Sequence, residues 1–256
     1  MARDFNGSNQ YGQVARDYSA YSTLAVGGWV SFDTLAGGGS YNMIWEHTAD
    51  GGANNGGFGL YYQGTNILAV AMCGNVGMNF GYASLTPSTA TWHHILALYD
   101  FTKSGNEVDL YYDGTLRSLT RSVNNDNSNT NKFANSTLNF GIRNGSSLPF
   151  DGKLERIFVA SADPGAGIAA AIYRGADPRV ALAGSIIDYW PLPGIDSPEP
   201  NWMSGGTAIT LTNTPARANG APASLWTRPK PSVFAGTSPP PPANNNYFLP
   251  LLGVGD

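Results

Sequence analysis

The chain has 256 residues, a formal net charge of −4 and 12% charged residues, about half the share of an average soluble protein. That length suffices for one large domain whose core needs neither disulfides nor metals. The acidic balance gives no basic footprint for nucleic acid. No apolar run reaches the roughly 18 residues of a membrane span. Since the N-terminus lacks the apolar segment of a signal peptide, we expect synthesis in a cytoplasm without Sec-type export.

Short alternating apolar and polar runs, separated by turn residues, predict a series of β-strands over residues 1–160. Residues 92–99 carry apolar side chains on both faces, which predicts a strand that is buried on both sides. The 32 glycines and 17 prolines also favour a turn-rich β protein. The predicted strands are 11–15, 24–32, 43–46, 57–62, 67–72, 92–99, 108–112, 137–142 and 152–160.

The later part of the chain predicts one short helix, a second helical turn and two further strands. Asp163 can cap a helix whose first turn accepts Pro164, and residues 177–182 predict the second turn. Strands are expected within 186–192 and 207–213. We therefore divide the chain into a sandwich (1–183), additional strands that pack on or extend it (184–214) and an extended proline-rich arm (215–256).

The arm combines a run of prolines with an apolar end. Four consecutive prolines force polyproline geometry, so no regular element is expected beyond Pro215. We expect the arm to dock on a neighbouring subunit, and the alternative is that it wraps its own domain. The proposed docking residues are Pro239, Pro240, Pro241, Pro242, Tyr247, Phe248, Leu249, Leu251 and Leu252.

Several motifs in the first 175 residues occur in a recognisable order. They include Asp-Phe-Asn-Gly-Ser-Asn-Gln-Tyr at 4–11, Trp-His-His at 92–94, Leu-Tyr-Tyr-Asp-Gly at 110–114 and Phe-Asp-Gly-Lys-Leu-Glu at 150–155. This pattern resembles the laminin-G-like, concanavalin-A-like lectin/glucanase superfamily. The resemblance implies an all-β fold, a jelly-roll β-sandwich of two antiparallel sheets.

A second resemblance concerns residues 187–211. They are similar to the segment that follows such domains in proteins of tailed bacteriophages and prophages. This implies a non-enzymatic virion structural protein, for capsid decoration or in a tail or fibre, which lies on the virion surface. Its partners would be other virion proteins and copies of itself in a homo-oligomer such as a trimer, with the arm as one contact. Neither a membrane nor nucleic acid is an expected partner.

The alternative function is a carbohydrate-binding module for host glycans. Sugar binding needs an exposed aromatic platform with amide or acid partners, although aromatic side chains more often belong to a core or a subunit contact. The candidates are Trp45, Tyr61, Tyr62, Tyr82, Tyr111, Asn54 and Asn55.

A glycoside hydrolase is the less favoured alternative. Glucanases of the superfamily use a Glu-x-Asp-x-Glu strand, and retaining hydrolysis needs two facing carboxyl groups. The nearest match here is Glu107-Val-Asp109-Leu-Tyr111, where tyrosine replaces the third acid. We therefore interpret Glu107 and Asp109 as one face of a solvated strand and expect no catalytic residue.

No metal site or other cofactor is expected from the sequence. Neighbouring residues of a strand point to opposite faces, so His93 and His94 cannot easily chelate one ion and should be hydrogen-bonded core or interface residues. The single cysteine, Cys73, excludes a thiolate-rich zinc site and should be a buried thiol. A structural calcium ion stays open as an alternative, because some laminin-G-like domains bind calcium through loop carboxylates. The loop candidates are Asp33, Asp50, Asp100 and Asp126.

Overall fold

A computed structural model describes residues 1–48, 55–75, 77–123 and 131–221, apart from the side chains of residues 122 and 123. The proline run and the apolar end of the predicted arm lie outside these ranges. Within them, no helix combines the length and the apolar character that a membrane crossing requires.

The described part of the chain forms sixteen strands and two short helices. The first nine strands are β1 (Ala2–Asn6), β2 (Tyr11–Asp17), β3 (Thr23–Phe32), β4 (Tyr41–His47), β5 (Gly57–Gln63), β6 (Ile67–Cys73), β7 (Met78–Ser84), β8 (Trp92–Asp100) and β9 (Val108–Tyr112). The remaining elements are β10 (Thr115–Leu116), β11 (Thr120–Val123), β12 (Asn135–Phe140), β13 (Asp151–Ala160), α1 (Gly165–Tyr173), α2 (Pro178–Ala181), β14 (Ile186–Trp190), β15 (Thr210–Thr212) and β16 (Ala216–Ala218).

The strands form two antiparallel sheets. The first sheet has the order β10-β9-β8-β3-β13-β1-β16, with β14 also paired to β13. The second sheet has the order β11-β7-β6-β5-β4-β12-β2-β15. Two antiparallel sheets with two short helices confirm the predicted all-β fold of jelly-roll sandwich type.

The main core lies between the two sheets. Alternate residues along each strand point inward, such as Leu60 and Tyr62 on β5 and Leu68 and Val70 on β6. A hydrogen bond joins the sheets through this core, because Trp45 Nε1 on β4 donates to the Tyr99 hydroxyl at 3.1 Å. The core therefore uses both apolar packing and a satisfied polar contact to fix how the sheets face each other.

A second apolar cluster covers the outer side of the first sheet. Leu96 and Phe158 on this side pack with Ala169 and Ile172 of α1. Residues 93–100 are consequently buried on both faces of β8, as the sequence predicts. The second helix begins after Asp177, whose carboxylate accepts a hydrogen bond from the Arg179 backbone N–H at 2.9 Å.

The last strands extend both sheets. Strand β14 pairs with β13, β15 with β2 and β16 with β1. Strand β16 was not expected, because it lies in the stretch that the sequence assigns to the arm. Two ion pairs fasten this region: Arg16 with the buried Asp188 at 2.9 Å, and Arg3 with the buried Glu199. Burial raises the pKa of Asp188, although the nearby Arg16 guanidinium acts in the opposite direction.

Candidate functional site

Four aromatic side chains form a continuous surface on the outward face of the second sheet. We call this surface the aromatic strip; it consists of Tyr41, Tyr61, Phe80 and Tyr82. The ring centroids lie 5.5 Å apart for Tyr41 and Tyr61, 6.2 Å for Tyr61 and Phe80, and 5.6 Å for Phe80 and Tyr82. All four residues are partly exposed. The strip therefore offers aromatic surface to solvent across β4, β5 and β7.

Small residues on the intervening strand allow the rings to meet. Tyr61 on β5 lies opposite Ala69 on β6, and Ala69 lies opposite Tyr82 on β7. Ala71 likewise lies opposite Phe80. Both alanines are buried, and neither has a side chain long enough to separate the rings of β5 and β7. The rings of Tyr61 and Phe80 consequently stack over β6.

A polar row runs beside the strip on the same face. Glu46 on β4 lies opposite Asn139 on β12, and Asn139 lies opposite Gln13 on β2. The Glu46 carboxylate accepts a hydrogen bond from Arg143 Nε at 3.1 Å. This ion pair holds the carboxylate in place although the Glu46 residue is fully buried. Asn139 is buried as well, so Gln13 is the partly exposed residue of the polar row beside the aromatic rings.

The structure divides the predicted sugar-binding residues between two sides of the sheet. Tyr61 and Tyr82 lie on the aromatic strip. Trp45 is fully buried and Tyr62 is 1% exposed, since both point into the core. The Tyr62 hydroxyl donates to Asn66 Oδ1 at 3.3 Å. Trp45 and Tyr62 are therefore core residues, and the expectation that they belong to an exposed platform needs correction.

The other predicted candidates lie apart from the strip. Tyr111 is 4% exposed and belongs to the cluster beneath α1, so it also cannot form part of an exposed platform. Asn55 is exposed in the turn before β5, and Asn54 lies outside the described residues. Sequence reasoning missed Tyr41 and Phe80. The alternation of Met78, Phe80 and Tyr82 along β7 is the signal that could have identified Phe80.

The candidate carboxylate pair is engaged in local structure. Glu107 lies just before β9 and is buried, where its carboxylate accepts from the Gly105 backbone N–H at 2.7 Å. Asp109 pairs with Arg121 at 2.7 Å and with Lys103 at 3.6 Å. Burial nevertheless raises the pKa of Asp109. The predicted solvated face is wrong for Glu107, because that side chain stabilises a turn.

The two adjacent histidines point to opposite faces of β8, as predicted. His93 Nδ1 lies 3.0 Å from Asp113 Oδ2, and its Nε2 lies 3.0 Å from Ser88 Oγ. Through these two contacts, His93 connects Ser88 in the loop before β8 with Asp113 in the turn after β9. His94 is fully buried beside Trp29, and neither of its ring nitrogens has a hydrogen-bond partner among the described residues, so the expected hydrogen bond is wrong for His94. Burial lowers the pKa of His94 to about 4.

The predicted calcium ligands do not converge in the part of the chain that the structure describes. Asp33 forms an ion pair with Lys153, and Asp100 accepts a hydrogen bond from Thr23 Oγ1 at 2.9 Å. Asp50 and Asp126 lie outside the described ranges. Within those ranges, no group of three His, Cys, Asp or Glu side chains is arranged to hold a metal ion. Cys73 is buried, as expected.

Solved structures with the same fold are distant in sequence. A candidate carbohydrate-binding protein from Bacteroides ovatus is 18% identical, with a TM-score of 0.57 over 85% of this chain and 61% of that one. A heptameric SAP-like pentraxin from Limulus polyphemus is 12% identical, with a TM-score of 0.50 over 67% of this chain and 80% of that one. The chain thus spans less than two thirds of the Bacteroides protein. At these identities the similarity concerns the fold alone.

The family assignment comes from the sequence of the sandwich. A search of curated proteins finds no relative of the chain. A family model described as the concanavalin A-like lectin/glucanases superfamily matches residues 6–161, which is more than half of the chain. This range includes the aromatic strip and the polar row beside it. The chain therefore belongs to the concanavalin A-like lectin/glucanases superfamily.

Proposed function

We propose that the chain is a non-catalytic carbohydrate-binding module whose aromatic strip stacks against sugar rings. The observation that carries this proposal is the contact series from Tyr41 through Tyr61 and Phe80 to Tyr82 on an outward sheet face. The C–H faces of a sugar are apolar, and they pack against aromatic faces while the hydroxyl groups stay available for hydrogen bonds. A strip that extends from β4 across β5 and β6 to β7 is long enough to contact more than one sugar unit.

The polar row favours a neutral saccharide. Gln13 is partly exposed, and its amide can both donate and accept hydrogen bonds, as a hydroxyl-rich ligand requires. The charge of Glu46 is balanced by Arg143 at 3.1 Å. A ligand carboxylate would have to compete with Glu46 for Arg143, and a ligand cation would have to compete with Arg143 for Glu46. The description of the Bacteroides ovatus neighbour as a candidate carbohydrate-binding protein supports a carbohydrate ligand.

The local roles of the candidate acids support binding without hydrolysis. Glu107 is buried in its turn contact and Asp109 is held by two cations. A retaining hydrolase needs two carboxyl groups that face one bound sugar. Neither of these side chains lies on the aromatic strip.

A glycan array followed by affinity measurements on the full chain tests the proposal. We expect Tyr61→Ala and Phe80→Ala each to lower the affinity for the best neutral ligand at least tenfold, equivalent to about 1.4 kcal/mol of binding free energy. Each change removes one ring of a stacked pair. Trp202→Ala is the matched control, since Trp202 is exposed on the other side of the sandwich and should leave the affinity unchanged. A protein that binds no glycan, or strip variants that bind like the parent chain, would contradict the proposal.

We also propose a setting for this module: the surface of a tailed-phage virion, as a capsid-decoration, tail or fibre protein that forms a homo-oligomer. The support is the resemblance of residues 187–211, together with the low charge of the chain. Deleting residues 229–256 should abolish attachment to the particle and leave glycan binding intact. A truncated chain that still assembles on particles would count against this setting.

A further inference from the structure

A groove of about 900 Å³ lies on the outer side of the first sheet, between the two helices, β14 and the beginning of the chain. Most of its wall is apolar and proline-rich. Its lining includes Ile168, Pro178, Val180, Tyr189, Pro191 and Trp202. The groove is on the opposite side of the sandwich from the aromatic strip, so a ligand of the groove is independent of glycan binding.

Two apolar side chains in this groove are unusually exposed. Trp202 is 53% exposed and Val180 is 76% exposed. The rings of Tyr189 and Trp202 lie 6.1 Å apart, and the Arg179 guanidinium lies 5.0 Å and 5.2 Å from their centres. Both side chains line the same groove, and exposed apolar surface gathered in one place is typical of a binding site.

The charged groups of the groove are largely compensated. Arg179 Nη2 pairs with Asp177 Oδ2 at 2.6 Å, and Arg156 Nε pairs with Glu155 Oε1 at 3.2 Å. A charged ligand would therefore have to displace an internal partner. The groove suits an uncharged, apolar and extended segment, because aromatic-lined grooves bind such segments in polyproline conformation and Tyr189 and Trp202 line this one.

The chain itself supplies such a segment next to the groove. The Ala221 backbone N–H donates to Glu155 Oε2 at 2.7 Å, and Glu155 lines the groove. Residues 231–255 carry no charged side chain and contain Pro239–Pro242. The proline run begins fewer than twenty residues after Ala221, and an extended chain gains about 3 Å per residue, so the connection can reach any part of the groove.

We propose that this groove binds the Pro239–Pro242 segment of the same chain. A proline run is already close to its bound conformation, so it loses little entropy on docking. The covalent connection also keeps its effective concentration in the millimolar range, so that modest contacts are enough for binding. Docking would shield Trp202 and Val180 from solvent.

Disulfide trapping in the full chain tests this assignment. Val180→Cys combined with Ala243→Cys should form an intramolecular disulfide at least tenfold faster than Thr65→Cys combined with Ala243→Cys. Thr65 is exposed in the turn between β5 and β6 of the second sheet and serves as the matched control. Buried Cys73 should not interfere. Trp202→Ala should reduce the faster rate to that of the control pair.

Two further variants, each made in the protein that carries both Val180→Cys and Ala243→Cys, identify the segment that docks. Changing Pro239–Pro242 to serine should reduce trapping to the control rate, whereas changing Tyr247 and Phe248 to serine should leave it unchanged. Equal rates for the two cysteine pairs would overturn the proposal. So would trapping that depends on Tyr247 and Phe248 in place of the prolines. Disulfide-linked dimers whose yield rises with protein concentration would assign the groove to a second copy and also overturn it.

Discussion

The two outward faces of the sandwich differ in what covers them. On the first sheet, α1 and α2 bury Leu96 and Phe158, and the exposed apolar surface lies beyond the helices, at Trp202. On the second sheet, the aromatic strip itself is partly exposed, and none of the described helices packs on it. Both sheets were built by the same alternating pattern. The comparison shows that alternation determines the face on which a residue lies. Whether that face stays available for binding depends on the segments that connect the strands, such as the helices between β13 and β14.

Phenylalanine truncation on the covered face should give the largest effect on stability. Phe158 is fully buried between the first sheet and the helices. We expect Phe158→Ala to lower the free energy of unfolding by about 3–5 kcal/mol, because it removes buried apolar surface and leaves a cavity. Denaturant unfolding measures this. A loss below about 1 kcal/mol would mean that the helices do not cover this face firmly.

Acid should destabilise the covered face through His94. Its pKa is near 4 in the fold and about 6.5 when unfolded, so between these values only the unfolded chain takes up the proton. Stability should therefore fall as the pH drops from 6.5 to 4, by up to about 3 kcal/mol. His94→Leu should remove this share of the pH dependence. If the free energy of unfolding of His94→Leu depended on pH between 7 and 4.5 as steeply as that of the parent chain, the burial of His94 would be contradicted.

The buried His47 provides an independent comparison. Burial lowers its pKa to about 4 as well, but it lies in the second sheet and stacks on Phe58 at 5.0 Å. His47→Leu should remove a separate share of the acid sensitivity, and the two changes should add because the histidines share no contact residue among the described ring pairs.

The same truncation on the open face should have the smallest effect on stability. Phe80 is partly exposed, and its ring contacts those of Tyr61 and Tyr82 on the strip. We expect Phe80→Ala to lower the free energy of unfolding by about 1–2 kcal/mol, well below the loss for Phe158→Ala. A loss as large as that for Phe158→Ala would show that the strip is a structural cluster.

The sequence predicted the sandwich and most of its strands, because period-two alternation is visible without tertiary information. It did not distinguish the two tyrosines of β5. Tyr61 and Tyr62 are neighbours and must point to opposite faces, but only the position of the other sheet decides that Tyr62 is the buried one. Trp45 was misjudged for the same reason. An irregular register between Met43 and Trp45 also shifts the alternation along β4.

The candidate site needed information that local patterns do not contain. Tyr61 on β5 and Phe80 on β7 lie on either side of β6. Their rings can meet because β6 carries the small residues Ala69 and Ala71 at the matching register. Strand β16 was missed because three residues, Ala216–Ala218, are too few for alternation to indicate a strand; the pairing with β1 defines it.

Both helices were predicted, and Asp177 caps α2. The predicted cap of α1 is wrong, because its N-cap is Pro164 and the Asp163 carboxylate accepts from the Gly165 backbone N–H at 2.8 Å.

A crystal structure with the best oligosaccharide from the glycan array tests the central claim most directly. We predict that a sugar ring lies against the faces of Tyr61 and Phe80, with a hydroxyl group within hydrogen-bond distance of Gln13, the partly exposed residue of the polar row. A saccharide bound in the groove beside Trp202, or bound only through loops away from the second sheet, would contradict the assignment of the aromatic strip.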